Sequence, residues 1–240
     1  MNSDHDKTWV WLDLDDTLWD FRKNSVITLR QLYASEEDIN KYFPSADYWV
    51  EVYSNCNDEL WRLYNRAIIT KDFLKMERFR KPLSDAGYPA PLDKLASRDL
   101  DKKYLNILGS MNGLVPGAKE LLIYLKEKGY HTGILSNGFH EVQHAKIRSS
   151  KISHLIDLII LSDDVGFNKP HPMIFEHAMQ CANTDAEHCI MIGDNADTDI
   201  NGALGCGWKA IYFNPEAQSG TCPETGVITV TSLNHITKLL

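Results

Sequence analysis

The sequence lacks any apolar run approaching the ~18 residues of a membrane span, so no transmembrane helix is expected. It also lacks a positive balance. Twenty-five Lys and Arg stand against 33 Asp and Glu, a formal charge of −8, and no basic run offsets it. A sequence-general nucleic-acid binder or an anionic-membrane binder is therefore disfavoured, because both partners need a positive footprint. Cysteines are few: Cys56, Cys181, Cys189, Cys206 and Cys222 are an odd number without CxxC spacing. That indicates neither a disulfide framework nor a zinc knuckle, and it suits a reducing compartment. Acidic residues precede a first apolar stretch too short for a secretory signal. No repeat or low-complexity tract occurs. The expectation is a soluble cytoplasmic protein with no nucleic-acid or membrane partner, whose oligomeric state the sequence does not set.

What is present is ordinary globular material, 43% hydrophobic and 24% charged over 240 residues, enough for one large domain or two modest ones. One pattern recurs. Short apolar runs end abruptly in polar or acidic residues: Trp9–Leu12 before Asp13, Thr132–Leu135 before Ser136, Leu158–Leu161 before Ser162, and Cys189–Ile192 before Gly193-Asp194. Ala210–Phe213 before Asn214 is a fifth candidate. Continuous apolar strands are the mark of a parallel sheet buried on both faces. Helical stretches alternate with them, from Pro116-Gly117 to Gly129, Pro172 to Ala182, and Asp199 to Leu204. This alternation predicts an α/β fold, a doubly wound parallel sheet that binds ligands beyond the carboxyl ends of its strands.

Residues 18–104 break the alternation. Trp49, Val52, Tyr53, Cys56, Leu60, Leu63, Tyr64 and Ala67 trace one helical stripe, and Phe73, Met76, Phe79 and Leu83 suggest a second helix. The segment holds 14 of the 24 aromatic residues, enough rings to fill a helical core. The chain thus divides into a core from 1–17 and 105–240 and a helical insert at 18–104.

Chemistry concentrates at the strand ends. Asp13, Asp15, Asp16 and Thr17 follow the first strand, and Asp194 and Asp199 follow a later one. Alone, Asp-Asp-Thr reads equally well as a solvated turn or a helix cap. Gathered at one sheet edge, however, these carboxylates repel one another and need a cation, for which a hard divalent ion with oxygen ligands is suited. Ser136 and Lys169 close two other strand–loop units. A hydroxyl and an ammonium at that edge suit phosphoryl oxygens.

In this order, Asp-Leu-Asp-Asp-Thr, Leu-Ser-Asn, Lys-Pro and Gly-Asp-x4-Asp resemble the four motifs of the haloacid-dehalogenase-like hydrolase superfamily, and none of the four departs from the pattern. The resemblance implies a Rossmann-like catalytic core with an inserted α-helical cap at 18–104. It implies Asp13 as nucleophile forming an aspartyl-phosphate, and Asp15 as acid and then base. Ser136, Asn137 and Lys169 would act at the substrate phosphate, Lys169 also balancing charge beside Asp13. Mg²⁺ would be held by Asp13, Asp194 and the backbone carbonyl of Asp15, with Asp199 behind them. Asp16 and Thr17 are assigned to shaping the turn. Asp15 favours an oxygen leaving group over the dehalogenase and phosphonate-cleaving branches. Ser136-Asn-Gly-Phe139, Val142-Gln143, Ser162-Asp-Asp-Val-Gly166 and Asp-Asp-Thr-Leu-Trp-Asp-Phe21 resemble the pyrimidine 5′-nucleotidase branch most closely. The implied partner is a small phosphate ester, a nucleoside 5′-monophosphate, with Trp19 and Phe21 as candidates to stack on its base. Sugar-phosphate or phosphoglycolate-type phosphatases and phosphomutases share the same four motifs.

Two readings from other classes compete. A non-catalytic binding subunit of this fold would have lost Asp13 or Asp15, and both are present. His140-Glu-Val-Gln-His144 is formally the HExxH of zinc proteases. That pattern arises by chance in about one such chain in sixty. The metzincin extension fails at Ile147 and Ser150, so the pair is expected on a solvated helix face.

Overall fold

The computed structural model describes residues 8–89, 94–217, 220–221 and 226–240, with the side chains of 94–98 and 221 excepted. Cys222 lies outside the described residues, and the other four cysteines are free thiols. The chain forms two compact units, one built from the residues up to Phe21 together with Asn112–Leu240, the other from Arg22–Met111. Among the described residues no helix is long and apolar enough to cross a membrane.

The first unit is an α/β layer. Its strands are β1 (Trp9–Leu12), β2 (His131–Ser136), β3 (Leu158–Leu161), β4 (Cys189–Gly193), β5 (Lys209–Phe213), β6 (Gly220–Thr221) and β7 (Ile228–Val230). They form one sheet in the order β3-β2-β1-β4-β5-β7-β6, parallel throughout except for the antiparallel β6. All of β1 and β4 is buried, which is why these runs carry no polar alternation. Trp11, Phe175, Met191 and Trp208 share a core cluster with Leu135 and Ile160. Fully burying one such side chain contributes roughly 1.5–3 kcal/mol.

Register decides where the chemistry lies. Leu12 of β1 is level with Ile134 of β2 and Ile192 of β4. Asp13, Ser136 and Asp194 therefore leave the sheet at one edge. The chain moves to one side of β1 for β2 and β3, and to the other for β4 and β5. The switch point between β1 and β4, where ligands of such sheets bind, is thus flanked by Asp13 and Asp194.

Connecting helices include α6 (Ala118–Glu127), entered through Gly117 and closed before Gly129, α7 (His140–Ser149), α8 (Ser162–Val165) and α9 (Pro172–Ala182), with Pro172 in its first turn. The expected helix from Asp199 to Leu204 is different in form. A π-helical turn, Ala196–Asn201, comes first, and α10 (Gly202–Gly205) continues it. Asn195 causes the early start, its side-chain oxygen accepting from the backbone N–H groups of Asp197 and Thr198.

The second unit is helical: α1 (Phe21–Ser35, which begins at the boundary), α2 (Glu37–Asn40), α3 (Ala46–Asn65), α4 (Lys71–Asp85) and α5 (Lys94–Ser110). Ser45 caps α3 and Thr70 caps α4 through their hydroxyls. Trp49, Tyr53, Cys56 and Leu60 of the predicted stripe are buried, but Ala67 lies beyond α3 with φ +56°. On α4 the buried face runs through Leu74, Arg78, Phe79 and Leu83, while Phe73 is 43% exposed. The helix is rotated from its apolar pattern because Arg78 turns inward to pair with Asp101 of α5 at 2.5 Å. The buried rings pack on one another: Trp49, Tyr53, Phe79 and Tyr104 form a chain of neighbours with Tyr53 4.9 Å from Phe79 and 5.3 Å from Tyr104.

Candidate active site

The loop after β1 turns sharply enough to aim several carboxylates. Asp16 adopts φ +58°, a conformation that a short acidic side chain tolerates, and its N–H donates to the Trp19 carbonyl at 2.7 Å. Asp13 N–H donates to the Ile192 carbonyl at 2.9 Å, fixing the end of β1 against β4. Thr17 donates its hydroxyl to Asp194 Oδ1 at 3.1 Å, so this turn residue also orients a carboxylate on another strand.

Asp13, Asp194 and Asp199 offer carboxylate oxygens that all lie within 4.8 Å of one another, the one group of three or more potential metal ligands among the described residues. Gly193 makes this approach feasible. A Cβ there would fall 2.2 Å from Asp199 Oδ2. Lys169 is buried at the centre, and its three ammonium hydrogens have three acceptors: Asp13 Oδ1 at 2.7 Å, Asp199 Oδ1 at 2.7 Å and the Leu135 carbonyl at 2.6 Å. Asp199 is further engaged by Asn195 N–H at 3.1 Å and Thr198 Oγ1 at 3.2 Å.

Three carboxylates and one ammonium leave a formal charge of −2. The titration behaviour reports the same shortage of positive charge. Burial, opposed by Lys169 but reinforced by Asp199, raises Asp13 to about 7. Burial and the charges of Asp13, Asp199 and Asp16 raise Asp194 to about 8. Burial works against the Lys169 ammonium, but Asp13 and Asp199 outweigh it and hold its pKa above the usual value. A divalent cation matches both the missing charge and the hard oxygen donors, so the residues present fit one.

Ser136 Oγ accepts from Gly138 N–H at 3.2 Å and from Gln143 Nε2 at 2.8 Å, which leaves its own hydrogen to donate. Asn137 is differently placed from the expectation of a phosphate contact. Its side-chain amide is engaged with the backbone of Lys169, Nδ2 donating to the carbonyl at 2.9 Å and Oδ1 accepting from N–H at 2.7 Å. The side chain of Asn137 therefore braces the loop that carries Lys169. Trp19 is fully buried and has no face to offer a base, which corrects its candidacy for stacking; Phe21 is half-buried.

Two residues to which the sequence assigned no role at the site meet Asp15. Lys146 Nζ donates to Asp15 Oδ1 at 2.6 Å and Gln143 Nε2 to Oδ2 at 2.9 Å. Their signal was available: Val142, Gln143, Lys146 and Ile147 are the buried stripe of α7, an apolar face interrupted by two polar side chains. HExxH lies on the same helix, with His140 on its exposed face as expected. His140 is exposed, its N–H donating to Asp163 at 3.1 Å and its Nδ1 2.7 Å from Asp164. The rings of His140 and His144 are 4.5 Å apart, and among the described residues no third ligand joins them.

Known proteins of similar sequence and fold are as follows. The family model described as haloacid dehalogenase-like hydrolase matches residues 8–207. The pyrimidine 5′-nucleotidase YjjG of Escherichia coli (strain K12) is 28% identical over 236 residues, 97% of each chain. A glyceraldehyde 3-phosphate phosphatase of Methanothermobacter thermautotrophicus is 34% identical over 207 residues, 86% of this chain and 85% of its own. Among solved structures, the magnesium-bound HAD-hydrolase YfnB of Bacillus subtilis superimposes with a TM-score of 0.85 at 26% identity, covering 98% of each chain.

Proposed function

This chain belongs to the haloacid dehalogenase-like hydrolase family, and from that premise we propose that it is a Mg²⁺-dependent phosphomonoesterase working through an aspartyl-phosphate. The observation that carries the reading is Asp13 at the β1–β4 switch point, paired to Lys169 at 2.7 Å, with a second carboxylate two residues on. Asp13, as carboxylate, attacks phosphorus, and the bond to the ester oxygen breaks. Asp15, in its protonated form, gives that oxygen a proton. The same group, now ionised, takes a proton from the water that cleaves the aspartyl-phosphate, which releases phosphate and restores Asp13. Ser136 donates its hydroxyl hydrogen to a phosphoryl oxygen. Lys169, whose three hydrogens already have partners, acts chiefly as fixed positive charge, and the side chain of Asn137 keeps its loop in place. Asp13, Asp194 and the Asp15 carbonyl would hold Mg²⁺, with Asp199 behind them; when bound, the ion supplies charge that keeps the carboxylates ionised and polarises the phosphate. The division into a Rossmann-like catalytic core and a helical cap belongs to the same proposal, with the cap expected at 18–104 and the compact helical unit spanning Arg22–Met111.

For the substrate we favour a pyrimidine nucleoside 5′-monophosphate. Support comes from the branch-like stretches around Ser136 and Lys169 and from a nucleotidase relative matched over 97% of both chains. Base stacking on Trp19 no longer contributes. A sugar phosphate is the second reading, favoured by the 34% identity to a triose-phosphate phosphatase. The test is kcat/KM for dUMP, dTMP, AMP, phosphoglycolate and glucose phosphates at one pH and Mg²⁺ concentration, with products identified. A sugar phosphate or phosphoglycolate winning by tenfold or more refutes the nucleotide assignment and leaves the phosphatase chemistry standing. An isomeric phosphate ester in place of free phosphate makes the protein a mutase.

A further inference from the structure

We propose that Lys146 and Gln143 are positioning residues for Asp15, and that they act on turnover through the orientation of that one carboxylate; the proposal rests on the phosphatase reading above. Each oxygen of Asp15 has its own donor, Lys146 on Oδ1 at 2.6 Å and Gln143 on Oδ2 at 2.9 Å. The carboxylate cannot rotate without losing both bonds.

The donors are themselves held. Lys146 is only 3% exposed, and its ammonium lies over the rings of Trp19 and Phe21, 4.6 and 5.4 Å from their centroids. Two aromatic faces and one carboxylate confine a charge that on a four-carbon stem is otherwise mobile. Trp19 thus has a task other than stacking on substrate: it walls the cation that fixes Asp15. Gln143 is fully buried, and its second amide hydrogen goes to Ser136 Oγ at 2.8 Å. Its Oε1 is buried without a partner. The two acceptors on Nε2 therefore decide the amide's orientation, since reversing it would set oxygen against the Asp15 carboxylate. A buried acceptor left unsatisfied is a cost a folded protein seldom carries without use. Gly138 makes the room, for a Cβ there would fall 2.2 Å from Gln143 Nε2. Three residues apart on α7, the two donors face the same way. A single amide thereby ties the proton-transfer group to the hydroxyl assigned to the phosphate, and fixes the distance between them.

Near-attack geometry is sensitive at this scale, a misplacement of about 1 Å costing ~10²-fold. The experiment measures kcat/KM, which reports only the first half-reaction, for a nucleoside monophosphate and for p-nitrophenyl phosphate in wild type, Lys146→Met, Asp15→Asn and the double variant. Lys146→Met is expected to lose about 10- to 100-fold with the nucleotide. It should lose at least threefold less with the nitrophenyl ester, whose leaving oxygen needs little proton. The double variant should be no slower than Asp15→Asn alone, because both changes act on one group. Equal losses with the two esters, losses that multiply in the double variant, or a Lys146→Met enzyme within twofold of wild type each overturn the proposal. Thermal melts accompany the assays; if Lys146→Met does not fold, Lys146→Leu is held to the same comparison and the same refuting outcomes. Wild type releasing no phosphate from either ester refutes the phosphatase reading and this proposal with it. An active wild type with an unaffected variant refutes only the positioning role.

Discussion

Asp194→Asn should stabilise the metal-free protein at alkaline pH while removing its response to Mg²⁺. Asp194 is raised from 3.8 to about 8, about four units, by burial first and by Asp13, Asp199 and Asp16 after it. A carboxyl whose pKa is higher in the folded state contributes its full stability below the unfolded value of 3.8, and loses it as the pH climbs through about 8. At 1.36 kcal/mol per unit, carrying the carboxylate above pH 8 costs at most about 5 kcal/mol. Part of that repulsion is relieved in the wild type because Asp13, raised to about 7, can take the proton instead. An expected net gain on the order of 2 kcal/mol remains. For a chain of this size that is roughly 4–8 °C in Tm. The amide keeps the Oδ1 that accepts from Thr17, so the turn is not disturbed. Melting curves in EDTA at pH 8.5 should show the variant above wild type, and the difference should shrink roughly threefold at pH 5. With Mg²⁺ at 100 times its dissociation constant, wild type should gain about 2.7 kcal/mol and the variant little. A variant less stable than wild type in EDTA at pH 8.5, or a gain independent of pH, would refute the electrostatic account of the cluster.

Three further outcomes follow from the same geometry. Asp13→Asn should lose about 10³-fold or more in phosphate release, and robust turnover by it would remove the covalent mechanism. Asp15→Asn should lose ~10²–10⁴-fold with alkyl phosphates and distinctly less in kcat/KM with p-nitrophenyl phosphate; a loss indifferent to leaving-group pKa would assign Asp15 another task. The double variant His140→Ala/His144→Ala should keep full activity and full Mg²⁺ dependence, and a protein inactivated by it would return the HExxH pair to consideration.

Much of the architecture was readable because its causes are local. Doubly buried strands carry few polar residues, so the four clear apolar runs and the fifth at Ala210–Phe213 announced themselves, and Pro172 and Gly117 marked helix starts for steric reasons. The candidates Asp13, Asp15, Asp194 and Lys169 were legible because chemistry at a strand end leaves ordered short motifs. Elements without such constraints were not: β7 is three residues long and β6 two, and α4 turned its Arg78 inward against its own apolar pattern. What no local pattern contains is which side chains are left facing which. Asn137 sits in a phosphate-site motif, yet its amide is claimed by the backbone of Lys169, 32 residues on. Trp19 stands beside the acidic turn after β1, yet it is sealed in the core under a lysine 127 positions away. Gln143 and Lys146 reach Asp15 across 128 and 131 residues. The sequence by itself determined the sheet, its edge and the chemical types gathered there, since those follow from burial and spacing along one chain. Tertiary packing alone decided how each donor is spent, because a hydrogen can serve one acceptor at a time and the choice is made between residues distant in sequence.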